Sequence, residues 1–222
     1  MSVSLKFTLI PVVYLFIAIS LVYSSCLRES KCDCEADTLK FATIFRPDAI
    51  SGKDAIIENT LPNSNFGDFT LCTIFAWTSG GFFTTARSLV EFDLSQIPVN
   101  TKIKAAKLSL YWASYDNLTE QTGSNYFSIY RVTQPWDEYS VTWNNQPSTS
   151  EVHKVDVGKS KSVDQSYLNI DVTDLVQDMI DDPNNSYGFM LKLDDEIPYK
   201  LVVTASSDNP DSNKHPKLII YF

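Results

Sequence analysis

The sequence predicts an all-β protein of the sandwich type, with one short helix at about residues 172–182. Three observations carry that expectation. Short stretches of alternating apolar and polar residues recur through most of the chain. In Ile103–Trp112, for example, Ala106, Leu108, Leu110 and Trp112 alternate with Lys107, Ser109 and Tyr111, the period of a half-buried strand. Turn formers separate these stretches at short intervals, as in Leu61–Gly67 and around Gly80–Gly81. A single segment changes period: Val172, Leu175, Val176, Met179 and Ile180 recur at helical spacing, and Pro183 closes it. Asp171 or Thr173 is the expected cap.

Composition narrows the class further. The chain has 222 residues, enough for one mid-sized domain with a substantial core. Its net charge of -9 excludes nucleic acid as a natural partner, because no basic excess exists to release counterions. No internal repeat or low-complexity segment is present.

Taken in order, the chain begins with Phe7–Val22, nearly all apolar and preceded by Lys6. That is the core of a signal peptide, short for a spanning helix. Ser24–Ser25–Cys26 resembles a bacterial lipoprotein cleavage site, with Cys26 lipidated; ordinary secretion and a retained anchor are the alternatives. Residues 1–25 are therefore read as the signal peptide, 26–40 as a charged tether, and 41–222 as the folded domain. Such a lipid anchor places the domain on a membrane at the bacterial cell surface. The expected strands are Phe41–Phe45, Ala55–Glu58, Phe69–Trp77, Arg87–Leu94, Ile103–Trp112, Phe127–Val132, Tyr139–Trp143, Val152–Val157, Tyr167–Val172, Gly188–Leu193, Leu201–Ala205 and Leu218–Phe222. Thr78–Thr85 reads as a loop carrying exposed Phe82 and Phe83. Tyr115–Asn125 reads as a polar loop.

One stretch has a more specific look. Tyr130–Pro147 holds Trp136, Trp143 and a polar turn at Asn144–Asn145. Upstream stand Arg87–Pro98 and the strand at 103–112. Downstream follow Asp171–Val176, Tyr187–Gly188–Phe189 and Pro216–Tyr221. In order and spacing these segments resemble the DNRLRE-type, or disaggregatase-related, domain, which overlaps carbohydrate-binding module family 96. Asn65–Phe66–Gly67 is similar to that family's Asn-Tyr-Gly segment. The resemblance implies a jelly-roll variant of the sandwich. It also implies a non-catalytic module that binds or organises extracellular polysaccharide, including uronate-containing chains. A structural or adhesive envelope protein that binds another protein, or itself, is the alternative; a glycan-cleaving enzyme is the third reading.

Candidate residues follow from the chemistry of such a site. Sugar rings stack on exposed aromatics while planar polar groups reach hydroxyls or carboxylates. Trp77, Tyr111, Tyr115 and Tyr130 are the aromatic candidates. Arg87 and Arg131 could fork onto a uronate if exposed on one face, or pair with Glu91 or Glu138 instead. Trp136 and Trp143 are read as core anchors, with a stacking platform as the sharper option. Calcium is the expected ion, structural if bound. Asp194, Asp195, Asp208 and Asp211 supply hard oxygen donors in loops, although a solvated acidic surface explains such runs equally simply. Cysteines leave two readings open: a disulfide from Cys32 or Cys34 to Cys72, taken as Cys34–Cys72, or Cys72 as a core residue. No serine-hydrolase elbow, zinc-protease motif or phosphate loop occurs, and His153 and His215 lie far apart in sequence.

Overall fold

The computed structural model describes residues 41–114, 116 and 118–222. The signal peptide 1–25, the tether 26–40, Cys26, Cys34 and Tyr115 lie outside the described residues. Among the described residues, eleven strands and one α-helix are formed: β1 Ala42–Phe45, β2 Lys53–Glu58, β3 Leu71–Ser79, β4 Phe82–Glu91, β5 Ala105–Leu110, β6 Phe127–Val132, β7 Thr149–Val157, β8 Tyr167–Asp171, α1 Thr173–Asp181, β9 Phe189–Leu193, β10 Lys200–Ala205 and β11 Lys217–Tyr221. They build two curled antiparallel sheets. The smaller runs β1-β11-β5-β8; the larger runs β10-β3-β4-β9-β6-β7, with β2 paired to β4. The expected all-β, jelly-roll-like sandwich with one short helix is what forms.

Alternation explains the layering. Ala106, Leu108 and Leu110 of β5 and Leu218 and Ile220 of β11 meet Ile74, Val90, Phe127, Ile129, Phe189, Leu191 and Val202 of the larger sheet in the main core. The residues between them point outward, and on the larger sheet they gather into two further apolar clusters. Ala55, Ile57, Leu89 and Met190 form one, with Val132 and Val141 and the half-buried Trp136 and Trp143 packed on it. Leu71, Leu201, Val203 and Ala205 form the other, beneath Phe75, Trp112 and Leu118. Loops therefore cover much of the outer face of this sheet.

The helix α1 inserts Leu175, Val176, Met179 and Ile180 into the main core. It touches β5 of one sheet and β6 and β7 of the other, and so closes the seam between them. Its start differs from the expected cap. Val172 occupies the cap position without a side-chain bond, and the Asp171 carboxylate one residue upstream accepts from the Thr173 backbone N–H at 3.1 Å. On the β7 side, His153 sits at φ 56° within the one register shift of the β6–β7 pairing and faces Asp178 of α1 at 2.9 Å.

Two expectations are corrected. The alternation at Tyr139–Trp143 is not a strand. The Asp137 carbonyl accepts from Ser140 and Val141 N–H, and Asn145 Oδ1 accepts from Thr142 N–H at 2.6 Å. Asn65 Nδ2 donates to the Glu138 and Val141 carbonyls at 2.7 and 2.8 Å. Backbone groups satisfied by side chains do not need a ladder partner. The loop expected at Thr78–Thr85 is instead a tight hairpin. Gly80 and Gly81, at φ 57° and 86°, make the two-residue turn, and β4 begins directly at Phe82.

Candidate functional site: an aromatic groove beside the larger sheet

One concavity combines the end of the β3–β4 hairpin with the segment after residue 117. Phe75, Trp77, Ser79 and Thr84 of the hairpin, Glu58 at the end of β2, and Leu118, Thr119, Glu120, Thr122 and Leu201 line a groove of about 510 Å³. Trp77 is 40% exposed. Tyr199 meets its ring edge-on, with centroids 5.3 Å apart.

The wall of this groove is held in place by backbone and side-chain bonds. Thr122 and Leu201 exchange N–H···O bonds of 2.9 and 3.0 Å. The buried Gln121 amide donates to the Gln165 and Val203 carbonyls and accepts from Val203 N–H, at 2.9, 3.0 and 3.1 Å. Asn125 donates to the Leu201 carbonyl at 2.8 Å. At Gly123, φ is 73° and any Cβ would lie 2.2 Å from the Tyr199 carbonyl oxygen; only glycine allows the loop to lie this close. A hydrogen-bonded wall facing an exposed indole offers a ring-stacking surface with polar groups at its rim.

The expected site residues are dispersed. Trp77 lies in the groove. Tyr111 belongs to the side of the smaller sheet, where Arg46 Nη2 reaches its hydroxyl at 3.1 Å. Tyr130 is buried, its ring covered by Lys192 at 4.2 Å, and burial raises its pKa. Arg87 and Arg131 do not share a face. Arg87 forks onto Glu196 at 2.8 and 2.9 Å, donates to Gln146 at 2.8 Å and stacks on Trp143 at 4.7 Å. Arg131 donates to the Asn185 carbonyl and the Ser186 hydroxyl beyond α1. Neither arginine uses Glu91 or Glu138; Glu91 pairs with Lys53 at 2.6 Å. Trp136 is likewise occupied, with Lys53 4.4 Å above its ring and its indole N–H donated to the Tyr187 carbonyl. Phe75, Tyr199, Glu58, Glu120 and Thr84 escaped the sequence reading, because nothing in their local pattern ties β2, the hairpin and residues 118–122 together.

The acidic candidates also regroup. Among the described residues, Asp54, Glu138 and Asp208 bring carboxylate oxygens within 4.8 Å of one another. Asp194 accepts from the Ser128 hydroxyl, Asp195 pairs with Lys200, and Asp211 caps a short turn through Asn213 N–H; these three do not join Asp208. Asp54 is 2% exposed, and burial pushes its pKa from 3.8 to about 6 although Ser207 N–H donates to it at 2.9 Å. Burial also raises the pKa of Glu138 and of Asp208. None of the three is ion-paired among the described residues. Such a group can share a proton, and its oxygens are also the kind that a hard cation such as calcium takes. Cys72 is a buried free thiol in the main core, its pKa pushed well up by burial. This placement agrees with the core reading of Cys72; Cys34, the other half of the expected disulfide, lies outside the described residues.

The fold defines the class first: an all-β sandwich module of two antiparallel sheets. The chain belongs to carbohydrate-binding module family 96, whose family model matches residues 48–222. No curated protein matches it.

Proposed function

We propose that this protein is a non-catalytic, surface-displayed module that binds polysaccharide in the Trp77 groove. The observation that carries the reading is the exposed Trp77 indole, set against a loop wall fixed by Gln121 and Gly123. Membership of a carbohydrate-binding family supports it. A lipid anchor at Cys26 would hold the module at the bacterial cell surface, as the residues around Ser24–Ser25–Cys26 suggest. Calcium, if bound, plays a structural role at Asp54, Glu138 and Asp208, away from the groove lining.

The test is a glycan array probed with the wild-type protein and with Trp77→Ala, in calcium and in chelator. Binding to one polysaccharide class, lost in the variant at unchanged melting temperature, supports the reading; equal binding by both proteins removes it. Reducing ends released from the bound polysaccharide would establish a glycan-cleaving enzyme instead. A glycosidase acid is kept protonated by burial, whereas Glu120 at the groove is exposed. One observation favours an adhesive role alongside. Phe82 and Phe83, 73% and 70% exposed at the hairpin turn, form an apolar tip beside the groove.

A further inference from the structure

The charge pattern of the groove says which sugars enter it, provided that the groove is the glycan site proposed above. Among the described lining residues two are ionisable, Glu58 and Glu120, and none is Lys, Arg or His. The neighbouring cations are committed elsewhere. Lys200, next to the lining residue Leu201, is bound to the Asp195 carboxylate at 2.7 Å and to its carbonyl at 3.0 Å. Arg87 is held by Glu196 and Gln146. A uronate carboxylate in the groove would therefore meet two like charges with no counter-ion, on a protein of net charge -9. Like charges brought together across an interface are strongly disfavoured.

The same two carboxylates suit a hydroxyl-rich sugar. An ionised carboxylate only accepts, through two oxygens. One Glu58 oxygen is taken by the Thr60 hydroxyl, which leaves the other available. The Glu120 carboxylate has no hydrogen bond or ion pair among the described residues. Thr84, a lining residue only 5% exposed, has a hydroxyl with no partner. Buried hydroxyls are ordinarily paired, so the lining holds polar capacity that the protein itself does not use. We propose that the Trp77 groove selects non-anionic pyranose units, whose hydroxyls donate to Glu58 and Glu120, and that these two carboxylates exclude uronates.

Calorimetric titration tests this with an uncharged hexasaccharide series (cello-, xylo- and manno-) and an anionic pair (oligoalginate and oligogalacturonate). The proteins are wild type, Trp77→Ala and the double variant Glu58→Gln/Glu120→Gln, each checked for unchanged melting. At least one uncharged hexasaccharide should bind and be lost in Trp77→Ala. The oligouronates should bind about tenfold more weakly or worse, and the double variant should narrow that gap about tenfold. Oligouronate binding that equals or exceeds the uncharged series, and that also disappears in Trp77→Ala, would overturn the charge selection and leave the groove standing. Binding that survives Trp77→Ala, or no binding to any hexasaccharide, would overturn the groove and the selection with it.

Discussion

Asp54→Asn should stabilise the protein at neutral pH, and the gain should vanish in acid. Asp54 is 2% exposed with its pKa raised from 3.8 to about 6 by burial. A raised folded-state pKa means that the native protein holds this proton more tightly than the unfolded chain. The stabilisation from protonating Asp54 is fully present below about pH 3.8. It is lost as pH rises through about 6. At pH 7.5 the ionised form costs about 3 kcal/mol relative to a neutral carboxyl, or roughly 6–12 °C in melting temperature for a domain of this size. The asparagine carbonyl can still accept from Ser207 N–H, as Asp54 Oδ2 does. Its amide can donate toward Glu138 and Asp208, whose oxygens lie within 4.8 Å. Thermal melts of both proteins in chelator, from pH 4 to 7.5, read the effect as a difference. The variant should be the more stable at pH 7.5, with the difference shrinking toward pH 4. Melts in millimolar calcium should reverse the order if the ion binds there, because ionised carboxylates are then required. A difference that stays constant with pH in chelator would refute the burial argument.

The other predictions concern the groove wall and the core. Gln121→Ala removes three buried hydrogen bonds and should cost about 2–4 kcal/mol in urea unfolding, with weaker glycan binding. Gly123→Ala forces a Cβ to 2.2 Å from the Tyr199 carbonyl oxygen at φ 73°. It should speed amide exchange at residues 118–123 while leaving β5 and β11 protected. Cys72 should resist a thiol reagent in the native protein and react fully in denaturant, as its 3% exposure requires; rapid native labelling would place it outside the core.

What was legible from the sequence follows from distance along the chain. Ile103–Trp112, Leu218–Phe222 and Val172–Asp182 announced themselves by period, because a strand or helix writes its buried face locally. Trp136 and Trp143 were read as core anchors and proved to be half-buried on the second cluster, each under a cation. Period 2 distinguishes two faces of a strand, yet a sandwich whose outer face is also covered by loops offers apolar cover on both. Tyr139–Trp143 failed as a strand because Asn145 and Asn65 satisfy its backbone, and Asn65 lies more than seventy residues away. The site was less legible than the fold. Trp77 was identified, whereas Tyr199, Glu58 and Glu120 are joined to it only through the pairing of β2 with β4 and the bridge between Thr122 and Leu201. Arg87 looked free for a ligand because its partner Glu196 lies 109 positions downstream.

The indole N–H resonances of the four tryptophans offer the most direct test of the groove. A titration of the isotope-labelled protein with the best polysaccharide fragment from the array should move the Trp77 resonance. The Trp136 and Trp143 resonances should stay in place, because Lys53 and Arg87 already cover those rings. Movement of Trp143 or Trp136 with a silent Trp77 would place the glycan on the outer aromatic cluster and contradict the account.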